Sequence, residues 1–175
     1  MFVSLRKVNK MGRRRETTEY LKDCIADAFI EKLRRKPFDK INVQEITDLA
    51  KVGRVTYFRN FKSKEEILIY RLIGLWEKKT QRSPFPHDSG IYEQAYWFFS
   101  FCEDEKDLLK LISEHKKTNI LLDFFKQCVL LPSTNSSKER YLKAYQAYGM
   151  TGIVTDWIEH GCVEDTETLA RLCSE

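Results

Sequence analysis

No run of apolar residues in this chain approaches the roughly 20 needed to cross a bilayer, so no membrane-spanning helix is expected. Metal-binding and nucleophilic groups are sparse. There are three histidines, and the five cysteines (Cys24, Cys102, Cys128, Cys162, Cys173) have neither CxxC spacing nor a neighbouring histidine pair. That distribution argues against a metal site or a disulfide framework and for reduced, mostly structural thiols in a cytoplasmic protein. Also missing are paired carboxylates at active-site spacing, a Ser/His/Asp set and a phosphate-cradling glycine loop. No enzyme and no cofactor is therefore expected. The N-terminal MFVSLRKVNKMGRRRE is basic but has no apolar core of signal-peptide length, so secretion is not expected.

What is present is ordinary for a folded soluble protein: 175 residues, 42% hydrophobic and 32% charged, enough for one or two compact domains. The net charge of +4 conceals an asymmetry. Residues 1–82 carry 21 Lys+Arg against 11 Asp+Glu, a net +10, and the remaining 93 carry 9 against 15, a net −6. A basic first half on an acidic second half fits a nucleic-acid-binding head on a non-binding body.

The most informative stretch is residues 42–70, NVQEITDLAKVGRVTYFRNFKSKEEILIY. Asn42 with Glu45, and Ser63 with Glu66, have the spacing of capping boxes, which start helices. Val43, Ile46, Leu49 and Ala50 fall on one face of a first short helix, and Lys51–Val52–Gly53 breaks it. Arg54 to Asn60 restarts as a second helix, with Val55 and Phe58 expected inward, Tyr57 open to either face, and Arg54, Thr56, Arg59 and Asn60 outward. A helix, a turn of about three residues and a second helix bearing polar and basic groups is the helix-turn-helix pattern.

AKVGRVTYFRNFKSKEEIL resembles the DNA-binding signature of the TetR (tetracycline-repressor-type) transcriptional regulators. The positions that carry the resemblance are Ala50, Val52, Arg54, Thr56, Tyr57, Phe58, Arg59, Phe61, Lys64 and Glu65. It covers about the first 70 residues and is only general beyond them. It departs from the family pattern at Lys51, where glycine is usual, at Gly53, where serine is usual, and at Phe58, where a phosphate-binding tyrosine is usual. That phosphate contact is lost unless Tyr57 supplies it. The resemblance implies an all-α fold: an N-terminal three-helix DNA-binding head, residues 1–75, and a C-terminal helical ligand and dimerisation domain, residues 76–175. The expected DNA-contacting residues are Arg54, Thr56, Tyr57, Arg59, Asn60, Lys62 and Lys64. Arginine can pair bidentately with guanine, and Lys62 and Lys64, beside the amides of the Ser63 helix start, suit a phosphate.

Around this motif the chain reads as helices. Residues 1–15 hold Arg6, Lys7, Lys10 and Arg13–Arg14–Arg15, either a flexible basic arm that follows phosphates or a solubilising tail. Leu21, Cys24–Ile25, Ala28–Phe29 and Leu33 give a first helix from Thr17 or Thr18, closed by Arg34–Arg35–Lys36 and Pro37. Phe38 and Ile41 are expected in the core. The helix after Ser63 runs to about Thr80, and Ser83–Gly90 is the linker. Helices are predicted at about 90–102, 105–114 and 117–131, then at 139–160, then from Asp165 or Thr166 to Cys173.

Trp76, Trp97, Phe101, Phe125 and Tyr145 either line a pocket for a small apolar or aromatic effector, as in many family members, or are plain core. Tyr148, Gly149, Gly152, Ile153 and Trp157 are the expected dimer interface, an internal core helix being the alternative. The partners implied are double-stranded operator DNA and a second copy of the chain, with no membrane. The competing reading is a coactivator of the same fold that binds a protein rather than DNA.

Overall fold

The computed structural model describes residues 3–86, 88–128 and 136–175, with side chains from residue 16 onward. Every regular element among these residues is helical: α1 Val3–Leu33, a single 3-10 turn Phe38–Lys40, α2 Val43–Ala50, α3 Arg54–Asn60, α4 Lys64–Arg82, α5 Ile91–Asp104, α6 Lys106–Glu114, α7 Thr118–Cys128, α8 Ser137–Glu159 and α9 Thr166–Leu172. The chain divides into two compact units, Met1–Arg71 and Leu72–Glu175.

In the first unit α1 packs on α2 and α3, and α2 on α3. The apolar positions read in the sequence supply this core. Ile25, Phe29 and Leu33 of α1 close on Phe38, Ile41, Ile46, Tyr57 and Phe61, all buried. Phe29 and Phe38 meet edge to face at 5.6 Å, the arrangement favoured by ring quadrupoles. The start of α1 differs from expectation. The periodicity predicts a helix from Thr17 or Thr18, whereas the helix runs from Val3 through most of the basic stretch. The sequence there lacks the apolar spacing by which periodicity recognises a helix, so the pattern does not mark where α1 begins.

The starts of the helices obey capping chemistry. Asn42 accepts from the Glu45 amide at 3.0 Å while Glu45 accepts from the Asn42 amide at 3.1 Å, so both halves of the box form. The second pair behaves differently. The Ser63 hydroxyl accepts from the Glu66 amide at 3.2 Å, but the Glu66 carboxylate accepts from the amide of Lys62. The buried face of α2 is Ile46 and Thr47, while Leu49 is exposed. The Thr47 hydroxyl is satisfied by donating to the Gln44 carbonyl at 3.0 Å, the back-bond that lets a threonine be buried in a helix.

In the second unit α5 packs against α9, α7 against α8, and α6 against α5, α7 and α8. All five helices predicted beyond the linker begin within a residue or two of expectation. The predicted end of the third, at residue 131, lies outside the described residues. Rings dominate the interior. Trp76 stands edge to face on Trp97 at 4.8 Å and on Phe101 at 5.0 Å, and Phe98 packs on Phe125 at 5.4 Å. Two of the three buried tryptophans direct the indole N–H to a backbone acceptor: Trp97 donates to the Ser83 carbonyl at 2.8 Å, and Trp157 to the Glu164 carbonyl at 3.0 Å. These bonds remove the penalty for burying a polar N–H. They also fix the ends of two loops against the ring core. α8 stops where Gly161 and Cys162 turn left-handed, at φ 85 and 57 degrees, and the Cys162 amide returns to the Trp157 carbonyl at 2.8 Å.

Candidate nucleic-acid interface

The turn between α2 and α3 is set by Lys51, which sits in the left-handed region at φ 55, ψ 39 degrees. Its amide and that of Val52, at 3.1 Å, both donate to the Thr47 carbonyl, closing α2 in the manner usually given to glycine. A lysine here carries a strain of roughly 1 kcal/mol from its Cβ. Gly53 then serves as the N-cap of α3 in extended backbone, with no side-chain bond to the helix amides.

α3 presents a face different from the one the sequence predicts. Tyr57 is 2% exposed, whereas Val55 is 71% and Phe58 56% exposed. Tyr57 is the one fully buried residue of the seven-residue helix, and Phe61, its extended C-cap, is buried four residues on. One step from Tyr57 turns Phe58 by about 100 degrees, out of the core. Reading every apolar side chain as inward was therefore wrong for Val55 and Phe58. The i, i+4 spacing of Tyr57 and Phe61 was the available signal. Burial holds the Tyr57 phenol above its ordinary pKa and keeps it from any outside ligand, so it does not stand in for the hydroxyl that Phe58 lacks.

The expected DNA-contacting residues separate into three groups. Arg54, Arg59 and Lys62 are exposed, and the Arg54 guanidinium carbon stands 5.9 Å from the Phe58 ring centre. Thr56 and Asn60 are half-buried, and the Asn60 amide donates back to the Thr56 carbonyl at 2.8 Å. Lys64 is drawn into the head. Its ammonium donates to the carbonyls of Phe38 at 2.6 Å and Ile41 at 2.9 Å and lies 4.6 Å from the centre of the Phe38 ring. It ties the start of α4 to the turn after α1, a structural role that the motif alone does not reveal.

The first unit is further braced by polar contacts near the end of α1. Lys36 donates to both oxygens of Glu45, at 2.7 and 2.9 Å. Tyr70 donates to Asp23 at 3.0 Å, and Arg71 pairs with Asp27. The Lys22 ammonium lies 4.0 Å from the centre of the Tyr70 ring, a cation–π contact.

In the second unit, four of the five expected pocket residues lie together in the core. Trp76, Trp97, Phe101 and Phe125 are all buried, and Phe124 joins them, 5.8 Å from Phe101. Tyr145 does not belong with them, because it is 78% exposed on α8. Depressions of about 470 and 640 Å3 lie at the edges of this ring core, the first beside Trp97, Tyr92 and Tyr96, the second beside Trp76, Thr80 and Cys128. Of the expected interface residues on α8, Tyr148, Gly149, Gly152 and Ile153 are exposed, and a side-chain carbon added at either glycine would meet nothing within 4 Å. Trp157 is the exception: it is buried, held by its bond to Glu164. With Ala147 and Val154 it belongs to the buried side of α8, away from the exposed residues of the expected interface.

The cysteines are free, and burial pushes the thiols of Cys102 and Cys128 upward, the latter to about 12. Among the described residues no group of three His, Cys, Asp or Glu side chains converges as a metal site, and no helix is long and apolar enough to cross a membrane.

Residues 91–175 match the family model TetR_C_8, described as a transcriptional regulator C-terminal region. No curated protein matches the chain. A solved structure titled "Dihydroxyacetone kinase operon activator DhaS" is similar over 88% of this chain and 90% of its own, at 18% identity and a TM-score of 0.48. Residues 91–175 thus match the C-terminal region of TetR-type transcriptional regulators, and the helix-turn-helix signature of the first half resembles that of the same family.

Proposed function

We propose that this regulator binds a palindromic operator as a homodimer through α3 and acts as a repressor in the cytoplasm. The observation that carries the reading is the outer surface of α3 and its flank. There Arg54 and Arg59 are exposed on α3 and Lys62 just past its end, while Tyr57 and the C-cap Phe61 are buried in the head. A helix fixed by its inner stripe with cations outside is what major-groove docking requires. Arg54 and Arg59 are the candidate guanine readers and Lys62 a phosphate contact. Thr56, Asn60 and Lys64 would contribute mainly by holding the helix in place.

The dimer would form on the exposed stripe of α8, where Tyr148, Gly149, Gly152 and Ile153 face outward. Two-fold pairing then places two copies of α3 on two half-sites. An effector is expected to act by binding one body conformation better than another, shifting operator affinity by that difference. The surface beside Trp97, Tyr92 and Tyr96 suits an aromatic or apolar molecule.

One observation favours the rival reading, a coactivator that binds a protein: the two exposed apolar side chains of α3. Fluorescence anisotropy on the DNA flanking the chain's own coding region, at two salt concentrations and with unrelated duplex as competitor, separates the two. Tight binding that resists competitor and weakens steeply with salt supports the operator reading. Binding no stronger than to random duplex leaves two options, an operator elsewhere or the protein-partner reading, which a pull-down then separates.

A further inference from the structure

Val55 and Phe58 are three residues apart on α3, so they stand on one side of the helix, and both are exposed. Their surroundings are cationic: Lys51, Arg54, Arg59 and Lys62 are exposed around them, and Arg54 lies against the Phe58 ring. A valine and a phenylalanine have no donor or acceptor, so they contribute to recognition only by covering apolar surface. In the major groove the base edges offer one apolar group, the 5-methyl of thymine. The amide side chain that would read adenine from the same helix, Asn60, is turned back on the Thr56 carbonyl. An A·T pair facing this surface is therefore distinguished from the thymine side.

We propose that Val55 and Phe58 are specificity-determining residues that take up thymine methyl groups, so that each operator half-site is read as guanines through arginine and thymines through this apolar pair. The inference rests on the operator reading above, and the charge around the pair favours a polyanion with apolar groups in its groove. The replacement of the expected tyrosine by Phe58 acquires a purpose on this account. A ring without its hydroxyl loses a phosphate contact and gains an edge that can be fully desolvated against a methyl group.

The test uses the full chain. Duplexes that bind it are selected from a random pool, and each thymine of the selected half-site is replaced in turn by deoxyuridine, which removes only the methyl group. Affinity is read by anisotropy. The expected result is a loss of roughly fourfold at one or two thymines, the effect of about one buried carbon each. That loss should shrink towards none in Val55→Ala or Phe58→Ala, each at a solvent-exposed position and checked for native helicity. Selective binding that is indifferent to deoxyuridine at every position overturns this inference and leaves the operator reading standing. Methyl sensitivity that persists unchanged in both variants overturns the assignment to these two residues. Failure to select any duplex, as a protein-binding head would show, overturns the inference together with the reading on which it rests.

Discussion

Lys36 and Glu45 are joined by two hydrogen bonds, at 2.7 and 2.9 Å, that tie the segment after α1 to the first turn of α2. Glu45 also accepts from the Asn42 amide, so one carboxylate both closes the capping box and links two segments of the head. Bonding to Lys36 first, and to the Asn42 amide second, holds its pKa below the ordinary 4.5.

A carboxylate whose folded pKa is depressed adds stability that is present above its unfolded value and is lost as pH falls through the folded value. The head is therefore expected to weaken as pH drops below about 4.5. Glu45→Gln should lower stability near neutral pH and flatten this acid limb, as followed by thermal melts in far-ultraviolet circular dichroism over a pH series. An unchanged acid limb in the variant would assign the effect to other carboxylates.

Lys51 holds a left-handed conformation that glycine adopts without strain. Lys51→Gly is expected to stabilise the head by about 1 kcal/mol, less the entropy glycine adds to the unfolded chain. Equilibrium denaturation followed by backbone ellipticity measures it. A destabilised variant would mean that the lysine side chain makes up for its own strain.

Phe101 is fully buried, with Trp76 at 5.0 Å and Phe124 at 5.8 Å. Phe101→Ala should cost roughly 3–5 kcal/mol through the cavity it leaves. The denaturant midpoint of the second unit reports it. A much smaller loss would show that the rings collapse into the space.

Gly152 has open space where a side chain would go. Gly152→Arg is thus expected to leave the protomer folded while separating the proposed dimer, so sedimentation equilibrium should show monomer at concentrations where the parent is dimeric. An intact dimer would move the interface off this stripe.

Arg54→Ala and Lys62→Ala are expected to differ on operator DNA. Losing a guanine reader should relax selectivity by about 1–3 kcal/mol at one base pair. Losing a phosphate contact should instead weaken binding to all duplexes and reduce the salt slope by about 1. Affinity across a small set of operator variants, at several salt concentrations, separates the two.

The sequence was most legible where a local rule has a single solution. Asn42 three residues before Glu45 could only cap a helix, and the breaks at Pro37 and Gly161 end the helices that precede them. It was least legible where hydrophobicity alone had to choose a face. Val55, Tyr57, Phe58 and Phe61 are all apolar or aromatic, yet only Tyr57 and Phe61 are buried, and their four-residue spacing is the one local sign of that choice. Trp157 differs: nine residues past Tyr148, about 180 degrees round the helix, its spacing does set it apart, and it is buried where Tyr148 is exposed. Lys64 shows another limit: its acceptors, Phe38 and Ile41, are more than twenty residues away.

The placement of tryptophan has an optical consequence. Trp76, Trp97 and Trp157 are the only three in the chain; all lie within residues 72–175, and all are buried. Residues 1–71 hold none, so the head is dark under selective indole excitation. Emission wavelength and quenching therefore follow the second unit alone, while far-ultraviolet ellipticity follows both. Without any label, the difference between the two signals resolves melting of the head from melting of the body.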